Sequence, residues 1–345
     1  MIRRLKFLLT AVLFAIILIE QVIASVTDSQ KESMQQLYPF IVDEKWGYIN
    51  KNGTVVFKAM FDHARYFSEG RGCVNRSGKW GYVNGAGKIV IEPQYQDALD
   101  FHNGLAAVKI VDKWGYIDIT GKIAIKAEFD IVTNFTDELA PVVKIVNDKK
   151  VGYYIDKTGK RAMELPPDCR RFGSFTEGLA GVWIGEVNGW GYIDKQGNVV
   201  VKTQFYTGEP YCEGLASVLT PKNKRGFIDK HGTMVIDNLN RSARSFSEGL
   251  ACVQLEEGAK YGYIDKRGKT VIAPRFDSGT DFSEGLAAVK IDDLWGYIDN
   301  TGRMIIEPRF QTAQKFTEGL AWVQALDEYG YINKKGEYVW RSPSK

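Results

Sequence analysis

Apolar and polar residues alternate along this chain in short runs, and the runs repeat. In the stretch Leu286-Ala287-Ala288-Val289-Lys290-Ile291 an apolar segment ends at Asp292-Asp293, and a second follows from Leu294 to Ile298. Asp299-Asn300-Thr301-Gly302 then offers Asp first and Gly fourth, the residues a type I turn favours at those places. Met304 to Ile306 reads as a returning strand that Pro308 should end, because proline cannot donate to a ladder. Phe310 to Phe316 is a candidate for a short fourth strand before Thr317-Glu318-Gly319 starts the phrase again. The glycine equivalent to Gly296 falls at Gly47, Gly81, Gly115, Gly152, Gly191, Gly226, Gly262, Gly296 and Gly330, at intervals of 34, 34, 37, 39, 35, 36, 34 and 34 residues. A fixed period of this size marks a propeller, solenoid or other repeat array. Closely spaced short strands with turn signals predict an all-β, antiparallel chain.

The faces of these strands predict how the units stack. Alternation puts Trp295 and Tyr297 on one face of the strand and Gly296 and Ile298 on the other. Apolar groups thus reach both faces, whereas a sheet with one wet face alternates apolar and polar. Each small sheet is expected to lie between two neighbours, with the recurrent glycine leaving a notch for the adjacent unit. The tandem array of about nine β-meanders admits two assemblies, a propeller-like ring or an open curved β-solenoid. Nine blades exceed the usual range of about four to eight, although two buried faces suit the ring.

Composition adds compartment and excludes some partners. The 345 residues carry 45 Lys and Arg against 42 Asp and Glu, a net charge of +3. Removing residues 1–24 takes away Arg3, Arg4, Lys6 and Glu20, a net of +2, and leaves about +1. That lacks the basic footprint of a nucleic-acid binder. Arg3, Arg4 and Lys6 precede the 13-residue stretch Phe7 to Ile19, and Val22-Ile23-Ala24 offers a cleavage point before Ser25. This is the signal-peptide pattern, so residues 1–24 are read as removed on export to the periplasm or medium, the alternative being an uncleaved N-terminal anchor. Residues 25–36 form a polar lead-in, 37–340 the repeat domain and 341–345 a short basic tail. Cys73 and Cys252 occupy one repeat position, held elsewhere by Ala107, Ala288 and Trp322. They read as buried strand residues, with Cys169 and Cys212 in a loop and a turn, and the array requires no disulfide framework.

The recurring Lys-Trp-Gly-Tyr-Ile-Asp, as at Lys113 to Asp118, with Gly-Lys, Val-Ile-x-Pro-x-Phe-Asp and Phe-Ser-Glu-Gly-Leu-Ala, resembles the WG-repeat family, also called KWG repeats. The resemblance spans nearly all of Leu37 to Trp340, with Val151, Arg225, Tyr261 and Tyr329 departing at the Trp position. It implies a bacterial-type β-repeat module that serves in interaction.

Catalytic chemistry finds little support in the residues. His63, His102 and His231 sit at different repeat offsets, without metal-ligand spacing, and read as exposed loop or turn residues; no metal or other cofactor is implied. Two rows of acids recur. Glu69, Glu177, Glu213, Glu248, Glu284 and Glu318 share one position, and Asp118, Asp156, Asp194, Asp229, Asp265 and Asp299 another. A calcium loop gathers several ligands within about a dozen residues, whereas here each turn offers one acid. Turn capping and backbone bonding are the expected roles. Stacked repeats chiefly create extended surfaces, so the expected function is a non-catalytic exported binding protein with a protein or envelope-component partner. The alternatives are an envelope glycan hydrolase or carbohydrate binder, and a self-associating structural component. A binding site is expected in the irregular middle, Met163 to Tyr211, where Arg170, Arg171, Trp183 and Tyr211 break the pattern.

Overall fold

The computed structural model describes residues 35–185, 189–239, 242–255, 258–326 and 328–342. The segment read as a signal peptide, nearly all of the lead-in and the last three residues lie outside these. The described secondary structure is entirely β, in nine antiparallel sheets. Successive sheets pack face to face, and the last meets the first, so the array is a closed nine-bladed β-propeller and not an open solenoid. Blade 8 shows the standard plan: Ser278–Gly279, Leu286–Ile291, Leu294–Asp299 and Met304–Phe310, hydrogen-bonded in that order. Blades 2 to 6 span 63–95, 97–129, 131–163, 169–205 and 207–239; blade 7 spans 250–276 and blade 9 spans 312–341. Blade 1 has three strands, Tyr38–Val42, Lys45–Ile49 and Val55–Phe61. The short fourth strand therefore exists, but it pairs with the unit that follows it: Thr312–Ala313 joins Leu320–Ala325 of blade 9.

Two expectations are corrected within a blade. Pro308 does not end its strand, which continues to Phe310. Trp295 pairs with Phe310 and Tyr297 with Ile306, so the outer strand carries two extra residues in a bulge that contains Pro308. An outer edge strand asks no donor of that proline. In eight of the nine blades the recurrent glycine meets its own outer strand; at Gly152 alone a Cβ would meet the next blade, at Phe172. A Cβ on Gly115 would come within 2.5 Å of the Ile125 carbonyl oxygen and 2.7 Å of the Ala127 nitrogen, both in its own sheet.

Each junction between blades has its own apolar core, and nine such cores close the ring. The tyrosine of Trp-Gly-Tyr is the centre of most of them. Tyr82, Tyr116 and Tyr297 are at most 1 % exposed, and each meets the aromatic ring of the next blade edge-on, as Tyr82 does Phe101 at 4.8 Å. Burying such a ring contributes roughly 4–6 kcal/mol by area, as an upper bound. The hydroxyl is not stranded: Tyr82 donates to the Leu99 carbonyl at 2.7 Å and Tyr297 to that of Gln314 at 2.7 Å, seventeen residues on.

The two rims of the ring are latched by acids. On the rim formed by the Glu-Gly turns, each glutamate has a positive φ, 54° at Glu213, where glycine or asparagine is the usual occupant of a type I′ hairpin. The carboxylates of Glu69, Glu177, Glu213, Glu248 and Glu284 reach the following blade. Glu69 accepts from the Asn103 and Gly104 amides, and Glu213 from Gly249 at 3.0 Å. Lys266, from the next blade's Asp-Lys turn, pairs with Glu213 at 3.0 Å, as Lys334 does with Glu284. The Asp row instead caps its own turns: Asp299 accepts from the Thr301 and Arg303 amides at 3.0 Å. On the opposite rim, formed by two-residue hairpins, Asp130 accepts from Lys113 at 2.6 Å and from the Ile145 amide of the next blade at 2.8 Å.

Among the described residues no chain segment crosses the junction between blades 9 and 1, and side chains close it. Tyr38 meets Tyr331 at 5.4 Å, and Phe40 meets Trp340 at 4.8 Å. Tyr331 donates to the Pro39 carbonyl at 2.8 Å and Tyr329 to that of Ile41 at 2.6 Å. In blade 3 the equivalent carbonyls, Ala107 and Lys109, accept from the inner strand's amides. Tyrosine at the usual Trp position, Tyr329, thus substitutes for a strand that blade 1 lacks among the described residues. The short strands form the inner edge of the ring. Across blade 1, Tyr66 of blade 2 reaches Gln314 of blade 9 at 2.7 Å, a span available only where blades converge.

Candidate functional site

The regular blades spend their conserved-looking residues on packing and latching, so a site must be sought where the plan breaks. It breaks in blades 4 and 5, on the hairpin rim. Blade 4 lengthens its central hairpin: Ala140–Val146 and Lys149–Ile155 gain the pairs Ile145 with Lys150 and Val146 with Lys149 beyond Lys144–Val151, which matches the last pair of blade 8, Ile291–Leu294. Asn147 and Asp148 make the tight turn with φ of 49° and 60°. The extension leaves Ile145 and Val146 about half exposed, with Val151 also exposed; the register corrects the expectation that Val151 replaces the Trp, because Gly152 takes that place and Tyr154 is the buried core tyrosine. Ile131, which begins the inner strand beside Val143, is 47 % exposed. Lys149 and Lys150 flank these aliphatic groups.

Blade 5 packs its inner strand against this hairpin strand, and that inner strand is long, Cys169–Thr176, where most have two residues. Pro166-Pro167 halts the previous outer strand after Arg161–Met163, and a turn from Pro166 to Cys169 starts the long strand early. Arg171 pairs directly with Trp183, which pairs with Trp190. Trp183 donates its indole N–H to the Gly185 carbonyl at 3.0 Å. Arg170 is the extra residue of a β-bulge between the Cys169–Ile184 and Arg171–Trp183 pairs. Three of the four expected site residues therefore lie together on blade 5. Tyr211 does not: it is 2 % exposed, meets Tyr192 edge-on at 4.8 Å and donates to the Asp229 carbonyl. It stands at the Phe position of the repeat and is core, so it is withdrawn from the surface. The exposed aliphatic residues of blade 4 were missed. The interval of 37 residues and the absence of Trp before Gly152 were their only signals in the sequence.

The remaining titratable groups are accounted for by structure. The Lys113 ammonium holds Asp130 below the usual carboxylate range, and Lys45 and Lys260 do the same for Asp62 and Asp277. The hydroxyls of Thr120, Thr158 and Thr301 lower Asp118, Asp156 and Asp299. Burial raises Glu213, but Lys266 and the Gly249 amide outweigh it and hold the carboxyl low. Asp100 and Asp281, at one inner-edge position in blades 3 and 8, are the exceptions: burial pushes both up, against Arg65 and Arg244 respectively. Cys73 and Cys252 lie in different inter-blade cores, and burial pushes the Cys252 thiol up to about 12. His63 is exposed, with its ring between those of Trp46 and Trp80 at 6.3 Å each. No group of three metal-capable side chains occurs among the described residues, and no helix among them is long and apolar enough to cross a membrane.

These shifts set the pH dependence. A carboxyl lowered in the folded state stabilises it above the unfolded value near 4 and loses that contribution as pH falls through the folded value. Asp100 and Asp281 act in the opposite sense, costing stability once ionised. The lowered acids outnumber the raised ones, so the urea midpoint is expected to fall from about pH 5 to about pH 3. A midpoint that holds or rises over that interval would contradict the latch assignments.

Comparison with known proteins agrees with the fold. A family model described as "WG containing repeat" matches residues 46–80, 80–114, 114–149, 190–220, 226–258, 261–295 and 295–327. No curated protein matches the chain. Among solved structures, a crystal structure of a eukaryotic initiation factor aligns over 90 % of this chain and 96 % of its own, with 12 % identity and a TM-score of 0.64. BamB from Moraxella catarrhalis aligns over 85 % and 97 %, with 12 % identity and a TM-score of 0.46. The extracellular domain of the putative one component system BT4673 from B. thetaiotaomicron aligns over 88 % of this chain and 52 % of its own, at 12 % identity and a TM-score of 0.34. The repeat matches cover more than half of the chain, at the blades whose Trp-Gly-Tyr strands and Glu-Gly latches build the ring: the protein belongs to the WG containing repeat family.

Proposed function

We propose that this is an exported, non-catalytic binding protein whose protein partner docks on the hairpin rim at blades 4 and 5. The observation that carries the reading is the lengthened hairpin of blade 4, with Ile131 and Ile145 exposed on the face that Tyr154 packs against blade 5, where Arg171 pairs with Trp183, and Val146 and Val151 exposed on the other face. Clustered exposed apolar groups of this kind mark interaction sites, and Trp and Arg are the residues that most often dominate binding energy. Export rests on the charged start and apolar run of residues 3–19. The acids support a non-catalytic reading, because each row is engaged in turns and latches repeated around the ring.

The test compares partner capture by the wild type, Ile145→Asp/Val146→Asp and Trp183→Ala, using envelope and medium fractions and reading one identified band. Loss of that partner from both variants, with an unchanged urea midpoint, is the expected result. A central hot spot is worth about 2 kcal/mol or more, hence at least about 30-fold in affinity. A partner retained by both variants would remove the site from this face. Recovery of the chain's own copies alone would favour self-association.

A further inference from the structure

The junction between blades 9 and 1 is built differently from the other eight, and the difference leaves a cavity. Elsewhere the inner strand of one blade lays an aromatic ring on the tyrosine of the blade before it, as Phe316 does on Tyr297. Blade 1 has no such strand among the described residues, and two large side chains replace it in part. Tyr38 stands where blades 3 and 8 have Ala106 and Ala287, and Trp322 where they have Ala107 and Ala288. Between them remains a cavity of about 290 Å³ at the inner edge of the ring, walled by the rings of Tyr38, Tyr66, Tyr331 and Trp322. That is near the lower end of the volumes of small-molecule sites, about 300–1,000 Å³.

Its polar lining is one-sided. The three tyrosine hydroxyls are spent on the protein, donating to the Glu318 carbonyl at 2.7 Å, Gln314 Oε1 at 2.7 Å and the Pro39 carbonyl at 2.8 Å. Their rings are thereby fixed. Three other lining groups, the Gln314 amide nitrogen, the Lys315 ammonium and the Thr317 hydroxyl, make no side-chain hydrogen bond or ion pair among the described residues. The hydroxyls of Ser247 and Ser283, equivalent to Thr317, donate to the carbonyls of Phe282 and Phe316 in the following blade, whereas those of Thr136 and Thr176 at the same position find no partner. Thr317 behaves as the threonines do, and blade 1 offers it no such carbonyl among the described residues. No carboxylate side chain lines the cavity, although the charge of Lys315 is felt by Asp281 in blade 8.

Three unspent donors, one of them cationic, between fixed aromatic walls ask for an anion with a flat face. We propose that this cavity binds a small organic carboxylate carried on a ring. The ring packs between Trp322 and the tyrosines, and the carboxylate takes the donors of Lys315, Thr317 and Gln314. A carboxylate takes a charge-assisted bond from the exposed Lys315 that a neutral ring cannot accept, and an anion without a ring leaves the aromatic walls in contact with water. The site lies at the closing junction, apart from the blade 4–5 surface, so its failure and that of the docking reading are independent.

Titration calorimetry on the purified protein tests it with benzoate and glucuronate, the aromatic and the sugar form of the chemistry, against benzamide and glucose as neutral counterparts. Saturable binding of at least one acid is expected. Its neutral counterpart and the Lys315→Met variant should each bind it about tenfold more weakly or worse, through loss of the charge-assisted bonds. Trp322→Ala should also weaken binding, and it restores the residue blades 3 and 8 carry there, so its fold is supported by the other junctions. Binding of benzoate alone assigns an aromatic acid, and of glucuronate alone a sugar acid. The proposal is overturned if neither acid saturates by about 10 mM, or if Lys315→Met binds as the wild type does.

Discussion

Tyr331→Ala is expected to destabilise the protein by about 3–5 kcal/mol, the range for deleting a fully buried aromatic ring, and to open the ring locally at its closing junction. Tyr331 is 1 % exposed, meets Tyr38 edge-on and donates a buried hydrogen bond to the Pro39 carbonyl. Tyr297→Ala removes the same group from an interior junction and serves as the comparison. There the partner ring, Phe316, sits on a strand joined covalently to the blade, so separation is limited by the chain. At the closing junction nothing covalent restrains Tyr38–Val42. Urea unfolding should therefore give similar losses for the two variants, whereas hydrogen exchange should show lost protection in Tyr38–Val42 and Tyr338–Arg341 for Tyr331→Ala alone. Unchanged protection of Tyr38–Val42 in that variant would mean that the other closing contacts suffice. Tyr331→Phe keeps the ring and should cost about 1–3 kcal/mol, for the hydrogen bond removed from a buried carbonyl.

The second large effect is expected from Gly115→Ala, about 2–3 kcal/mol of destabilisation measured by the urea midpoint. The added methyl meets backbone atoms of the outer strand at 2.5–2.8 Å, which no rotamer change can relieve. The bulge that places those atoms must flatten or shift, and with it the ring of Phe129 in the next core. Gly104→Ala separates this effect from backbone conformation. Gly104 has a φ of 84° and open space around it, so only the left-handed strain of about 1–2 kcal/mol applies. Equal losses in the two variants would show that the bulge yields cheaply and that the recurrent glycine answers to some other need.

Much of the blade is legible in the sequence, and the residues that mislead do so for identifiable reasons. The Asp299-Asn300-Thr301-Gly302 turn follows from local chemistry, and the structure shows the carboxylate capping it as that chemistry requires. Pro308 misleads because its lack of a donor is read as a strand end, whereas an outer edge strand needs no donor there. The Glu-Gly row misleads more subtly. Its acids do bond backbone, but that of the next blade, some 34–37 residues away, a distance no turn pattern reports. Of the expected site residues, Arg171 and Trp183 are found paired, while Tyr211 looked irregular only because tyrosine replaced phenylalanine at a core position. The exposed hairpin beside them depends on two added residue pairs, visible as a slightly longer interval but without a sign of which side chains they would expose.

The sequence by itself determined the strands, the turns and the count of nine, because each depends on the order of residues within about ten positions: alternation, Asp and Gly at fixed offsets, and a glycine repeated every 34 to 39 residues. It also determined that the sheets are covered on both faces. Tertiary structure decided closure, since a ring forms only if nine inter-blade rotations add to a full turn and the two ends then fit. That fit rests on contacts nearly 300 residues apart, Tyr331 with Pro39 and Tyr329 with Ile41. The same long-range step decided which unit each short inner strand pairs with, sent five of the glutamates, Glu69, Glu177, Glu213, Glu248 and Glu284, to a neighbour's amide, and left a cavity where the first blade meets the last. These are consequences of one geometric sum over the whole chain, and no local pattern carries it.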